Sequence, residues 1–233
     1  MDNNYIGIDI SLNSTSIYIE SNKKVVLSFT NKKDNNIYIK ELDRHGVVFH
    51  YQEKVKGNDY STNEVIKIKN YDLLSDKIIS AIIENIDLNN KTYCIIEGYS
   101  FSKNTSSILD IVSFSTLIKA KILNEISNID MSIISPKSLK LETCKMCYKP
   151  IDVGKKKPKY EYRNNKGISG GSFKKPDMFL AMLDGEIDSP IFKFLTEYKE
   201  LSERDKIPNP IEDIIDSIFA CKIKINEIKN DIG

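Results

Sequence analysis

Residues 5–10 read YIGIDI, and residues 92–98 read TYCIIEG. Each is a short apolar run of the kind that fills a buried strand, and each ends in an acid, Asp9 and Glu97. A carboxylate buried without a partner costs several kcal/mol. At the end of a strand it can face a cleft instead, so two such acids suggest a shared site. The plainer reading is that each acid caps its strand or pairs with a surface lysine.

Working outward, residues 15–20 (TSIYIE) alternate and are β-branched, and 24–30 (KVVLSFT) read as a third strand. Short links, including the turn SLNS, predict an antiparallel three-strand meander. The stretch 31–70 contains strand-like pieces at 37–41, 47–51 and 65–69, and is expected to be an insertion of extra hairpin structure. Helical spacing of apolar residues predicts helices over 71–86 and 105–127, the second with Asn104 as N-cap. Residues 131–135 read as a strand, and Ser135 with Pro136 predicts a capped helix start. Residues 143–173 lack periodicity and read as an exposed insertion. Helical segments are expected over 176–184, 190–202 and 210–228. A meander, then alternating strands and helices, is an α/β pattern with a mixed sheet.

The last helix carries a second acidic signal, PNPIEDIIDSIFAC at 208–221. Asn209 is expected as N-cap, Pro210 as the first helical residue, and Glu212 in the capping-box position. Asp213 and Asp216 have no such role. They are three apart, on one face, among Ile211, Ile214, Ile215 and Ile218. Two like charges there repel unless a cation lies between them. Four carboxylates on two strands and a helix suit hard divalent cations, Mg²⁺ or Mn²⁺. Two such ions, about 3.5–4 Å apart, are what two-metal phosphodiester hydrolysis requires.

Composition sets the bounds. The 233 residues are 40% hydrophobic and 29% charged, which reads as globular and suits one domain with elaborations. Net charge is only +1, so a nucleic-acid enzyme of this composition must gather its positive charge locally. No apolar run reaches the length of a membrane span, and no signal peptide is evident, so an intracellular, soluble location is expected. Cys94 and Cys221 read as core residues, and His45 and His50 as surface or packing residues.

In sequence order, GIDISLNSTSI, IIEGYSFSKN, SPKSLK, GISGGSFKKPDM and EDIIDSIFA resemble the motifs of the RuvC family of Holliday junction resolvases, with a viral or phage-type member expected. The resemblance covers the chain apart from insertions near 31–70 and 144–166. It implies an RNase H-like fold and a homodimer that nicks four-way DNA junctions symmetrically, as in DNA recombination and repair. It implies Asp9, Glu97, Asp213 and Asp216 as metal-binding acids, and Lys140 and Lys175 as basic residues near the scissile phosphate, with Lys174 as a competitor. An aromatic after the glutamate is expected to wedge into the junction. Tyr99 and Phe101 compete for that role, with Lys103 beside them. The chain departs from the family in lacking a glycine soon after Asp9, where Ile10 and Ser11 follow. The competing readings are another RNase H-like nuclease acting on branched DNA or RNA–DNA hybrids, and an actin-like or sugar-kinase-like ATPase. The missing glycine argues against the ATPase, whose phosphate-binding turns need one.

Within the second insertion, Cys144 and Cys147 form a CxxC with zinc-ligand spacing, but this chain has no second pair to complete four ligands. Zinc is therefore not favoured. The following GKKKPKYEYRNNK, with Lys155, Lys156 and Lys157, has the charge and aromatic content for phosphate contacts and base stacking.

Overall fold

A computed structural model of the protein describes residues 3–32, 36–52, 57–99, 105–154 and 158–232. Among them, six strands form one mixed sheet in the order β4-β3-β2-β1-β5-β6. The meander is β1 (Asn3–Asp9), β2 (Ser14–Glu20) and β3 (Lys24–Thr30), antiparallel throughout. On the other side of β1, β5 (Lys91–Glu97) and β6 (Ile129–Ile134) run parallel to it. Parallel neighbours need crossovers, which α2 (Tyr60–Ile83) and α3 (Thr105–Glu125) supply. The remaining helices are α1 (Ile37–Arg44), α4 (Pro136–Cys147), α5 (Lys175–Asp184), α6 (Phe192–Glu197) and α7 (Ile211–Ile232).

Strand alternation sorts the core into two layers. Ile6, Ile8, Ile17, Ile19, Leu27 and Phe29 pack with the apolar stripes of α2 and α3. Tyr5, Tyr18, Tyr93 and Ile95 pack with α4, α5, α6 and α7. Cys94 and Cys221 are both buried, one in each layer, as expected. No described helix is long and apolar enough to cross a membrane.

The stretch 31–70 departs from the hairpin expectation. Only 47–51 is a strand, β4 (Val47–Tyr51), which lies parallel to β3 at the sheet edge. Residues 37–41 belong to α1, because Asn36 caps it by accepting from the Tyr38 N–H at 2.9 Å, and Ile39 and Leu42 bury one face. Residues 65–69 lie inside α2, which starts at Tyr60 rather than 71, capped by Asp59 accepting from the Thr62 N–H at 2.9 Å.

The second insertion is also more ordered than its composition suggests. Thr143 and Cys144 are buried in α4, and a small hairpin follows, β7 (Pro150–Asp152) with β8 (Tyr160–Tyr162). The chain then returns through a buried Asn164, Gly170 and Phe173 to α5. Ser135 caps α4 as expected, accepting from the Ser138 N–H at 3.1 Å, with Pro136 in the first turn. The expected N-cap at Asn104 falls outside the described residues.

Candidate metal centre and cleft

Two features bring the acids together. The first is register. β1 and β5 are parallel with Ile8 opposite Ile96, so Asp9 and Glu97 emerge side by side at the same end of the sheet. Alternation places Asp9 on the face of Tyr5 and Gly7, and Glu97 on the face of Tyr93 and Ile95. That is the face covered by α7. The second is the approach of α7. A Cβ on Gly7 would lie 2.0 Å from the Ser217 carbonyl oxygen and 2.5 Å from the Cys221 nitrogen, so helix backbone lies directly on strand backbone. A glycine within a β-branched strand is a sequence signal of such an approach.

The start of α7 differs from expectation. The helix begins at Ile211 after a cis Asn209–Pro210 peptide, and the Pro210 carbonyl accepts the first helical bond, from Ile214 N–H at 3.0 Å. Pro210, not Asn209, therefore occupies the cap, and it has no side-chain acceptor to offer. Glu212 is thereby left without its capping-box partner. Burial first, then the nearby Asp216, raises its pKa, against the lowering effect of Lys175 and Lys206.

Asp9, Glu97 and Asp216 each place one oxygen within 4.8 Å of the others. Asp216 is 2% exposed and Asp213, a turn earlier, is 5% exposed. The Asp213 Oδ2 is buried with no hydrogen-bond partner. Lys175, the first residue of α5, donates to Asp216 Oδ2 in an ion pair. Burial, with the Asp216 charge, pushes the Asp9 carboxyl up to about 7 against the lowering effect of Lys175. Burial and the neighbouring carboxylates also hold Glu97 and Asp213 well above the usual range. Burial alone would lower the pKa of Lys175, but Asp216, Asp9 and Glu97 outweigh it and raise it.

This arrangement fits a divalent cation. The donors are all carboxylate oxygens, one is buried and unsatisfied, and among the described residues Lys175 is the ammonium paired with the crowded like charges. Asp9, Glu97 and Asp216 could hold a metal ion, with Asp213 beside them.

The acids open into a cleft of about 240 Å³. Lys140 of α4, Lys175, Asp213, Tyr99 and the turn residue Ser11 are in its wall. Tyr99 is held against α3, where the Lys119 ammonium donates to its hydroxyl at 3.1 Å and lies 4.6 Å from its ring centroid. Lys174 is exposed, so the cluster receives Lys175 and not its neighbour. Phe101, Lys103, Lys155, Lys156 and Lys157 lie outside the described residues. A larger hollow of about 530 Å³ beside β4 is lined by a single acid, Asp43, and lacks this chemistry.

The remaining candidates lie elsewhere. His50 stacks on Phe29 with ring centroids 4.5 Å apart, and His45 lies 3.3 Å from the Glu197 carboxylate. Cys144 is buried against Gly170, and Cys147 packs against Gly185. Among the described residues, no third metal-ligating side chain joins the two cysteines.

No protein-family model and no curated relative matches the sequence. Solved structures do. The yeast mitochondrial Holliday junction resolvase Ydc2 matches with a TM-score of 0.50 and 12% identity, over 97% of this chain and 81% of that one. RuvC from Thermus thermophilus, described in complex with a Holliday junction substrate, matches with a TM-score of 0.47 and 6% identity, over 97% and 95% of the two chains. With its mixed sheet and the helices packed on both faces, the chain has the RNase H-like fold of the Ydc2 resolvase.

Proposed function

We propose that the protein is a divalent-metal-dependent endonuclease that resolves four-way DNA junctions by paired symmetric nicks. The observation that carries this reading is the meeting of Asp9, Glu97 and the buried Asp216, with Asp9, Glu97, Asp213 and Lys175 lining one open cleft. The fold shared with a junction resolvase supports the choice of substrate.

Mg²⁺ or Mn²⁺, two ions per site in this reading, would supply Lewis acidity for phosphodiester hydrolysis. The protein's own residues have separable tasks. Asp9, Glu97, Asp213 and Asp216 would hold the cations. Lys175 balances the carboxylates in the free protein, and with substrate bound it holds a non-bridging phosphate oxygen and offsets the charge that builds there. Lys140, also in the cleft wall, fixes the strand through its phosphates. Lys174 and the run Lys155, Lys156 and Lys157 add phosphate contacts beyond the cleft, with Lys103. Tyr99 and Phe101 remain the aromatic candidates for the opened junction.

Paired nicks need two sites, and hence a homodimer. Exposed apolar side chains on the outer helices support this, with Val65, Ile68 and Leu73 on α2 and Leu109 and Leu123 on α3.

The test is cleavage of a synthetic four-way junction beside linear duplex and RNA–DNA hybrid, with Mg²⁺ and with EDTA. Junction-selective, EDTA-sensitive cutting supports the proposal. Metal-dependent cutting of hybrid or duplex in place of the junction keeps the site and rejects the substrate.

A further inference from the structure

Lys175 is the cation paired with the carboxylate cluster, yet it follows a long excursion of the chain. The chain leaves α4 at Cys147, forms the β7–β8 hairpin, and returns at Lys175. Something must fix where it returns.

Asn164 does so through its side chain. The Asn164 Oδ1 accepts from the Lys166 and Ile168 backbone N–H groups at 3.0 and 2.9 Å, folding the returning loop around itself. Its Nδ2 donates to Asp177 Oδ1 at 3.1 Å. The other oxygen of Asp177 accepts from the Lys174 N–H at 2.8 Å, at the first turn of α5. Both side chains are 5% exposed. A buried amide and a buried carboxylate are costly unless fully bonded, so this relay has one low-energy arrangement. It joins the end of the insertion to the residue immediately before Lys175.

We propose that Asn164 and Asp177 are positioning residues, which set the Lys175 ammonium against the carboxylate cluster. Neither is placed in the cleft wall, so they act through the backbone at Lys174 and not on substrate. The inference rests on the nuclease reading for its catalytic consequence, but the placement of Lys175 can be read without it.

The test is a double-variant cycle. Asn164→Asp keeps an acceptor for the loop but removes the donor to Asp177. Asp177→Asn alone restores no balance. Together, Asn164→Asp with Asp177→Asn reverse the direction of the bond and keep every partner. Two readouts are taken. One is the acetylation rate of Lys175 by acetic anhydride, resolved by tandem mass spectrometry. The other is kcat and KM on a four-way junction. Asn164→Asp should acetylate severalfold faster at Lys175 and lose roughly tenfold in kcat with little change in KM. The double variant should recover both.

Unchanged Lys175 labelling in a folded Asn164→Asp protein overturns the inference, as does failure of the double variant to recover. Should Asn164→Asp not fold, Asn164→Ser provides a second cut, since its hydroxyl cannot span to Asp177. If no variant or parent cleaves DNA, the nuclease reading fails, and the labelling alone still decides the positioning role.

Discussion

Gly7 and Ser217 touch through their backbones: a methyl group on Gly7 would sit 2.0 Å from the Ser217 carbonyl oxygen. Asp213 and Asp216 stand on the turn of α7 just before that contact, and Asp9 lies two residues beyond Gly7 on the same face of β1. The contact thus sets the depth at which the helix delivers its acids to the strand acid. Gly7→Ala must push α7 away. The expected cost is about 1–3 kcal/mol or somewhat more, read as a lower midpoint in urea unfolding. Any divalent-cation binding should weaken with it.

Asp9 links the site to pH. Its pKa in the folded protein is about 7, above the 3.8 of an unperturbed aspartate. Between those values the folded protein keeps a proton that the unfolded chain has released. The stability associated with this group is therefore fully present below 3.8 and is lost as pH rises through about 7. In EDTA, Asp9→Asn should be more stable than the parent at neutral pH, by an amount on the order of 1–4 kcal/mol. The difference should shrink on acidification. Calorimetric melting of both proteins across that range checks this, and a flat difference contradicts it.

Lys175 is the counter-charge of a buried acid. Its partner Asp216 has a side chain 3% exposed, whereas the Lys175 side chain is 33% exposed. Removing one member of a fully buried pair costs about 3–5 kcal/mol. Solvent screening at the lysine reduces the expected loss for Lys175→Met to about 1–3 kcal/mol. Mn²⁺ should narrow that deficit, because a cation can replace the missing charge. Melting temperatures with and without Mn²⁺ measure both effects.

The cysteines should be slow to react. Burial pushes the thiol of Cys144 up to about 11 and those of Cys147 and Cys94 up to about 12, and it also raises that of Cys221. At pH 8 the thiolate is the reactive form and is scarce at each of them. Native protein should therefore alkylate with iodoacetamide far more slowly than denatured protein. Rapid native labelling of Cys147 would show that its packing against Gly185 opens in solution.

The acids were legible in the sequence because a carboxylate at the end of an apolar strand has few inexpensive explanations. Asp9 and Glu97 stand out for that reason, and Asp213 and Asp216 because two like charges three apart share an apolar helix face; the structure groups Asp9, Glu97 and Asp216, with Asp213 beside them. The Ser135–Pro136 start of α4 was equally plain, since capping chemistry is local. Residues 37–41 and 65–69 read as strands from sequence because alternation over five residues suits a strand or a helix face. The deciding signals were the caps at Asn36 and Asp59, which lie outside those windows. The cap at Pro210 was missed because a proline carbonyl, and no side chain, begins the helix. The Asn164–Asp177 bond joins residues thirteen apart across a loop. No periodicity marks it, so only the folded chain shows it.

Junction cutting by the Asp9–Glu97–Asp216 cluster with a divalent cation can be observed at nucleotide resolution. Its most direct test is mapping of nicks on a four-way junction labelled in turn on each strand, with Mg²⁺, for the parent protein and Asp9→Asn. The expected result is nicks at matching positions on two opposed strands, absent in EDTA and reduced at least a hundredfold in the variant. Equal cutting by a folded Asp9→Asn protein, or an uncut junction with Mg²⁺ and Mn²⁺ alike, would contradict it.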